Sequence, residues 1–237
     1  MTIAGFVKTT LLDYPGRLAC TVFTQGCNLR CPFCQNGSLV LPEYFETPLD
    51  TEEILAHIKK RSSVLEGVCI TGGEPTLMPD LKDFIKKIKE LDLLVKLDTN
   101  GTNPEAVSEL INEKLIDHVA MDIKASPEDY AKVCGLPQIA FDKISASVEL
   151  LRSSGIAHEF RTTLVKGLHS KASVKALAEW LAGPDAYFLQ SYREEDGVIE
   201  KLKGKELELE SFSKDELNEL LNIVREYLPA AELRGVD

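Results

Sequence analysis

The feature that most limits what this chain can fold into is an alternation of β-rich runs with helical runs. Strands are predicted at 18–24, 67–71, 94–99, 116–123, 158–164 and 186–190. Helices are predicted over 51–62, 80–91, 104–113, from Pro127, up to Gly155 and over 170–181. Unbroken alternation is typical of a parallel sheet with right-handed crossovers. Six such units are fewer than the eight of a closed barrel, so we predict an α/β fold, a partial (β/α)6 TIM-like barrel with a parallel sheet.

A single domain over residues 1–237 is predicted, because no internal repeat is visible. Residues 1–17 contain the turn signal Asp13-Tyr14-Pro15-Gly16 and are expected to form a hairpin or an irregular lead-in. The other expected parts are a barrel core at 18–192 and a C-terminal part at 193–237, made of a charged linker (193–212), a helix begun by the capping pair Ser213 and Glu216, and an edge strand at 230–233.

Charge and hydropathy exclude several classes of function. Lys and Arg total 27 against 38 Asp and Glu, which gives a net charge of −11 without any dense basic run. Binding to nucleic acid or to an anionic membrane is therefore disfavoured. The first residues lack the pattern of a signal peptide, and no apolar stretch approaches the ~18 residues of a membrane span, so a cytoplasmic protein is expected. In a reducing cytoplasm, clustered cysteines are more often metal ligands than disulfides.

Three of the six cysteines, Cys27, Cys31 and Cys34, lie within eight residues at the spacing C-x3-C-x2-C. Such a short loop can direct three thiolates toward one centre. Iron–sulfur clusters are held by cysteine thiolates at such spacings, normally by four of them. A fourth is missing here, because the next cysteine, Cys69, lies inside an apolar run. An iron without a protein ligand would provide the open coordination position that a catalytic metal site needs.

Polar residues or glycines follow every predicted strand. In barrels of this kind the chemistry lies at the carboxyl ends of the strands. The segments at those ends are the cysteine loop, Thr71-Gly72-Gly73-Glu74-Pro75, Asp98-Thr99-Asn100-Gly101, Asp122-Ile123-Lys124, Arg161-Thr162-Thr163 and Gln190-Ser191-Tyr192-Arg193. We therefore predict that these segments share one rim of the sheet.

The cysteine loop resembles the signature of the radical S-adenosylmethionine (SAM) enzymes, in which three cysteines bind a 4Fe–4S cluster and SAM chelates the fourth iron. In that family an aromatic residue usually precedes the third cysteine and lies beside the adenine, and Phe33 matches it. A wider match resembles the anaerobic ribonucleoside-triphosphate reductase activating proteins. It runs from Gly5-Phe6-Val7-Lys8-Thr9 through Leu11-Leu12-Asp13-Tyr14-Pro15-Gly16 to Cys34-Gln35-Asn36.

This resemblance implies one 4Fe–4S cluster on the three cysteines, reductive cleavage of SAM and removal of a hydrogen atom from a glycine of a partner enzyme. The implied partner is a glycyl-radical enzyme, an anaerobic ribonucleotide reductase. A low-potential electron donor such as flavodoxin or ferredoxin is implied as well.

The resemblance also implies that Gly72, Gly73 and Glu74 bind the amino group of SAM. Glycines let backbone approach a ligand closely, and an ionised Glu74 can accept from an ammonium or from neighbouring backbone. The alternative is that Gly72-Gly73 forms an ordinary turn after a strand.

Two further strand ends are implied to contact SAM. Asp98, Thr99 and Asp122 would surround its ribose and carboxylate, and a monovalent cation near Asp98 and Asp122 is a further option. The alternative is that these residues are helix N-caps. Lys124 would pair with the SAM carboxylate, and Arg161 would do the same or pair with a strand-end acid.

The other cysteines are expected to be structural. Cys20 and Cys69 lie in apolar strands as small buried hydrophobes, and Cys134 precedes Gly135 at the end of a helix. Residues 38–68 contain no cysteine, so one cluster is expected. A zinc site is the alternative for the cysteine loop, but zinc sites typically use four Cys or His ligands in two pairs, and no histidine is close in sequence.

Three functions stay open at this point. The first is an activase, the second a radical SAM enzyme that acts on a small molecule in cofactor biosynthesis, and the third a non-enzymatic iron–sulfur carrier or sensor. The segments after the third and fourth strands favour the activase. Carriers usually saturate their irons with protein thiolates, so three cysteines argue against the third function.

Overall fold

The computed structural model describes residues 1–204 and 209–235. Its strands are β1 (Ile3–Thr10), β2 (Ala19–Thr24), β3 (Gly67–Gly72), β4 (Leu94–Thr99), β5 (His118–Asp122), β6 (Ala157–Leu164), β7 (Tyr187–Ser191) and β8 (Ala231–Arg234). Its α-helices are α1 (Gly37–Val40), α2 (Thr51–Arg61), α3 (Leu81–Lys89), α4 (Pro104–Asn112), α5 (Tyr130–Val133), α6 (Phe141–Ser154), α7 (Lys171–Leu181), α8 (Ile199–Leu202) and α9 (Lys214–Arg225). Every helix in the described residues falls short of the length and apolarity that crossing a membrane would require.

The strands follow one another in chain order, from β1 to β8, in an eight-stranded sheet. β1 pairs with β2 in antiparallel orientation, whereas β2, β3 and β4 pair in parallel, as do β6, β7 and β8. The predicted α/β class with a parallel sheet is therefore confirmed. The six predicted strands are β2 to β7. Of the two expectations for the N-terminus, the hairpin matches the structure, and its first strand is β1. The predicted edge strand corresponds to β8.

The chain forms two compact units. The first comprises Met1–Asn28, Ser38–Ala120 and Asp142–Ala157, and the second comprises Leu29–Gly37, Met121–Phe141 and the chain from His158 onward. The first unit therefore contains β1 to β4, and the second contains β7 and β8. The cysteine loop and β5 contribute residues to both units.

The first unit is built on apolar parallel strands covered by amphipathic helices. Val68, Cys69 and Ile70 of β3 are completely buried, and so is Cys20 of β2, as expected for small buried hydrophobes. The apolar residues of α3 that are buried recur at helical spacing, and they are Leu81, Phe84, Ile85 and Ile88. The predicted helix over 80–91 is thus confirmed by the face that it buries.

In the second unit, α7, α9 and β8 pack together. The buried face of α9 consists of Leu217, Leu220, Leu221 and Val224. The predicted capping pair begins this helix: the Ser213 side chain accepts from the Glu216 N–H, and the Glu216 side chain accepts from the Ser213 N–H. A reciprocal cap of this kind satisfies two N–H groups that the helix itself leaves without acceptors.

The segment 193–212, predicted as a linker, has regular structure among its described residues. It contains the short helix α8, and Val198 and Ile199 are buried. The many charged residues of the segment hid these two apolar side chains from sequence analysis. Residues 205–208 of the predicted linker and residues 236–237 of the C-terminal part lie outside the described residues.

Replacing Ser213 with Ala should lower the free energy of unfolding by about 1 kcal/mol, because the N-cap of α9 would lose its acceptor. Urea unfolding followed by circular dichroism measures the change. Ser153→Ala is the matched control, because the exposed Ser153 hydroxyl donates to the Glu149 carbonyl inside α6 and caps no helix. A loss no larger than that of the control would show that the capping box does not stabilise the fold.

Candidate active site

The cysteine loop passes from the first compact unit into the second, and the predicted site residues are divided in the same way. In the first unit lie Cys27, Gly72, Gly73, Glu74, Asp98 and Thr99. In the second unit lie Cys31, Phe33, Cys34, Asp122, Lys124 and Arg161. Each unit thus carries some of the predicted cluster ligands and some of the predicted SAM contacts.

In the first unit, the side chain of Asn100 fixes Cys27. Asn100 Nδ2 donates to Cys27 Sγ at 3.7 Å and to Asn28 Oδ1 at 3.0 Å. Asn28 Nδ2 in turn donates to Thr102 Oγ1 at 2.8 Å, so the turn after β4 is bonded to the beginning of the cysteine loop. Hydrogen bonds to ligand sulfurs tune the reduction potential of iron–sulfur clusters. Asn100 was not among the predicted site residues, although its place at a strand end was the available signal.

Gly72 and Gly73 let the end of β3 pack directly on the backbone that leads into the cysteine loop. The Gly73 N–H donates to the Thr24 carbonyl at 2.9 Å, and the Glu74 N–H donates to the Gly26 carbonyl at 2.8 Å. A Cβ on Gly73 would lie 2.0 Å from Gly26 O, and one on Gly72, whose φ is +112°, would lie 2.4 Å from Thr24 N. Backbone packing therefore requires both glycines. Their contact with SAM stays a prediction.

Glu74 is completely buried, and its carboxylate joins the ends of β3 and β4. Oε1 accepts from the N–H and hydroxyl of Thr76 at 3.2 and 2.6 Å and from the Thr99 hydroxyl at 2.8 Å, while Oε2 accepts from the Asn100 N–H at 2.7 Å. Burial raises the pKa of Glu74 above its ordinary value, and these hydrogen bonds oppose the rise. Glu74 and Thr99 thus position the strand ends, and their contact with SAM stays a prediction.

Asp98, near the end of β4, is paired with a residue of its own strand. Its carboxylate forms an ion pair with the ammonium of Lys96, and its Oδ1 lies 3.9 Å from Cys69 Sγ. Lys96 was not predicted as a site residue, because a lysine inside an apolar strand carries no motif. Asp98 is therefore part of a charge pair and not a helix N-cap; the N-cap of α4 is Asn103.

In the second unit, Cys31 and Cys34 lie in a tight and largely buried turn. The Cys34 N–H donates to the Cys31 carbonyl at 3.0 Å, and Cys31 and Phe33 are each 5% exposed. A hydrogen bond with Cys134 and burial raise the pKa of the Cys31 thiol. Burial and the neighbouring Cys31 raise the pKa of Cys34 to about 11, and the charge of Lys124 opposes both shifts. Cys134 ends α5, as expected, and also lies beside Cys31.

Asp122, at the end of β5, accepts hydrogen bonds from the two basic side chains that were predicted for the site in this unit. Its Oδ1 accepts from Arg161 Nε and its Oδ2 from Lys124 Nζ, both at 2.9 Å. Burial acts to raise the pKa of Asp122, but the charges and hydrogen bonds of Arg161 and Lys124 outweigh it and hold the pKa well below its usual range. Burial likewise acts to lower the pKa of Lys124, and the charges of Asp122 and Cys31 overcome it. An ammonium has three donors, so Lys124 can bind a further anionic group.

The segment around Gly197 packs on the cysteine loop within the second unit. The Ile199 N–H donates to the Cys34 carbonyl at 3.1 Å, and the Gly37 N–H donates to the Gly197 carbonyl at 3.0 Å. A Cβ on Gly37 would lie 2.5 Å from Gly197 O, so a larger residue would push the two segments apart. This contact was not predicted, and its local signal in the sequence is the apolar pair Val198-Ile199.

The donor chemistry of the loop fits an iron–sulfur cluster. The three cysteines are soft sulfur donors; the Asn100 amide donates to the sulfur of Cys27, and the ammonium of Lys124 acts on Cys31 and Cys34. Nearby cations favour the thiolate, which is the form that binds metal. Within residues 1–204 and 209–235, no three His, Cys, Asp or Glu side chains are grouped closely enough to hold a single metal ion.

Fold and motif together define the class to which this chain belongs. Residues 21–181 match the family model described as the Radical SAM superfamily, and the chain belongs to that superfamily. The family implies one 4Fe–4S cluster and SAM, which confirms this part of the predicted cofactors.

Two individual relatives indicate which branch of the superfamily this chain resembles. The chain is 30% identical over 99% of its length to a protein from Methanocaldococcus jannaschii provisionally named a glycyl-radical enzyme activating enzyme, of which it covers 96%. It is 31% identical to the pyruvate formate-lyase-activating enzyme of Clostridium pasteurianum over 71% of each protein. The resemblance to the activase branch is thus confirmed.

Among solved structures, the chain is similar to Streptococcus suis SuiB bound to SAM, with a TM-score of 0.67 and 18% identity. The match covers 90% of this chain and 49% of SuiB, so this chain spans about half the length of that structure. The likeness confirms the predicted fold, an α/β partial barrel.

Replacing Cys31 with Ala should abolish cluster binding, because the loop has no further thiolate that could replace it. Cys134→Ala is the matched control: Cys134 is completely buried beside Cys31 but lies outside the loop, and its loss should leave the cluster in place. Anaerobic reconstitution followed by iron and sulfide analysis measures both. A full complement of iron and sulfide in Cys31→Ala would contradict the assignment.

Proposed function

We propose that this radical SAM enzyme is an activase that installs a glycyl radical on a partner enzyme, and that this partner is an anaerobic ribonucleotide reductase. The observation that carries the first part is the similarity, over nearly the full length of both chains, to the Methanocaldococcus jannaschii protein. The match between residues 5 and 36 and the reductase activating proteins supports the choice of partner.

For the cluster, we propose that Cys27, Cys31 and Cys34 each bind one iron through a thiolate and leave the fourth iron to SAM. If bound and reduced, the cluster would supply the one electron that cleaves SAM into methionine and a 5′-deoxyadenosyl radical, and this radical would take a hydrogen atom from a glycine Cα to give 5′-deoxyadenosine. Asn100 orients the first thiolate through its amide, and the buried Phe33 is proposed to pack beside the adenine.

For the carboxylate of SAM, we propose Lys124 as the main partner and Arg161 as the second. The support is their fixed geometry: Asp122 accepts a hydrogen bond from each and so holds both side chains in place. In the first unit, Gly72, Gly73 and Glu74 are proposed to face the SAM amino group, and Asp98 and Thr99 its ribose.

The setting of the reaction is also part of the proposal. We propose that residues 1–237 act as one radical SAM domain in the cytoplasm, reduced by a low-potential donor such as flavodoxin or ferredoxin. The net charge of −11 supports a protein partner over nucleic acid or an anionic membrane.

Lys124→Met should weaken SAM binding roughly ten- to a hundredfold, because losing a charge-assisted hydrogen bond costs about 1.5–3 kcal/mol. Iron content should stay unchanged. Titration of SAM into the anaerobically reconstituted protein measures the affinity, and Lys132→Met, which removes an exposed ammonium from α5, is the control. Equal affinities in the two variants would remove Lys124 from the SAM site.

The activase function is tested by electron paramagnetic resonance. With SAM and a reductant alone, the enzyme should release 5′-deoxyadenosine slowly; addition of an anaerobic ribonucleotide reductase should give a glycine-centred radical. A reductase whose radical glycine is replaced by Ala is the control and should give no such signal. Conversion of a purine or pterin substrate, with no protein radical on any glycyl-radical enzyme, would assign the chain to cofactor biosynthesis instead.

A further inference from the structure

Lys96 is a charged residue in the interior of a parallel strand. It is 2% exposed and lies in β4 between Val95 and Leu97, both completely buried. Strands of parallel sheets are normally continuous apolar runs, and lysine is almost never fully buried unless its ammonium is paired. A lysine at this position therefore requires a specific reason.

The ammonium of Lys96 is directed toward the carboxyl end of its strand. Side chains two residues apart on a strand point to the same face, and Lys96 forms an ion pair with Asp98. Cys69, which lies opposite Lys96 in the register of β3 and β4, has its Sγ 4.0 Å from the Lys96 Nζ. The Asp98 side chain is 14% exposed, so Lys96 connects the buried interior of the first unit to a strand-end carboxylate.

We propose that Lys96 is a positioning residue that gives Asp98 its compensating positive charge, so that SAM binding at Asp98 needs no monovalent cation. This inference rests on the proposed function, in which Asp98 contacts SAM. Hard cations take oxygen ligands, and a carboxylate attracts a cation most strongly when no fixed positive charge already balances that carboxylate. The Asp98 carboxylate is balanced by Lys96, and within the second unit Asp122 is balanced by Lys124 and Arg161.

The Lys96–Asp98 pair also explains why the positive charge comes from a residue of the strand. A lysine fixed by the sheet holds the Asp98 carboxylate in one orientation, whereas an ion from solution would have to bind separately. Removing only the ammonium would leave a mostly buried carboxylate without its counter-charge, which is costly in a protein interior. A small cation from solution should then take over the function of the ammonium.

The test is the dependence of SAM binding on the monovalent cation. SAM is titrated calorimetrically into the reconstituted protein with either K⁺ or the bulky choline cation as the only monovalent cation. The wild-type protein should bind SAM equally in both. Lys96→Met should bind about tenfold more weakly in choline, the loss of one charge-assisted interaction, and should recover in K⁺.

Two variants control for a purely structural effect. Lys89→Met breaks the ion pair with Asp117 in the same unit, where the Lys89 side chain is 26% exposed, and should show no dependence on the cation. The double variant Lys96→Met/Asp98→Asn removes both charges and should lose the K⁺ effect. The melting temperature of each cluster-free protein, measured in both salts, gives a second readout: K⁺ should raise it for Lys96→Met alone.

K⁺-dependent SAM binding by the wild-type protein would overturn the inference, and so would a Lys96→Met affinity that is the same in both salts. Should Lys96→Met fail to fold, the wild-type comparison still decides, since equal binding in both salts supports the inference. A wild-type protein that keeps its cluster but binds no SAM in either salt would refute the proposed function. Loss of SAM binding in both salts can be told apart from SAM binding that depends on the cation.

Discussion

The relative positions of the strand ends in the first unit depend on one buried carboxylate. Glu74 accepts hydrogen bonds from Thr76, Thr99 and Asn100, and so it joins the end of β3 to the end of β4. Asn100, positioned in this way, donates to the sulfur of Cys27. A carboxylate without contact to the thiol therefore determines where the first cysteine of the loop lies. Because the interior has a low dielectric, these bonds are strong when complete and costly when broken.

Much of the fold could be predicted from the sequence because its signals are local. The strands β2 to β7 are apolar or β-branched runs between turn residues, and helices such as α3 and α9 carry a regular apolar face. The capping pair Ser213 and Glu216 marked the start of α9 to the residue. The segment around Ile199 was assigned to a linker because its fixed structure comes from the distant cysteine loop, and no local pattern records such a contact.

Residues of the candidate site could be predicted where the residue type itself indicates the chemistry. Residues that only hold another site residue in position were harder to predict. Cys31, Asp122 and Lys124 are recognised by motif and by place at a strand end. Asn100 and Lys96 act on such residues from positions without a motif, and only the three-dimensional structure brings their donors to Cys27 and Asp98. Gly72 and Gly73 were predicted for closeness to a cofactor, and the structure adds that the neighbouring backbone itself requires them.

The contact between the cysteine loop and the segment around Ile199 has a consequence for biosynthesis. The carbonyl of Cys34 receives its hydrogen bond from Ile199, a residue that the ribosome adds long after it has made the cysteines. On a nascent chain the Cys34 carbonyl therefore lacks this hydrogen bond until Ile199 has been added. The second half of the loop acquires this contact only after Ile199 has been synthesised and has left the ribosome. A metal centre that depends on this contact therefore forms only after Ile199 has been synthesised.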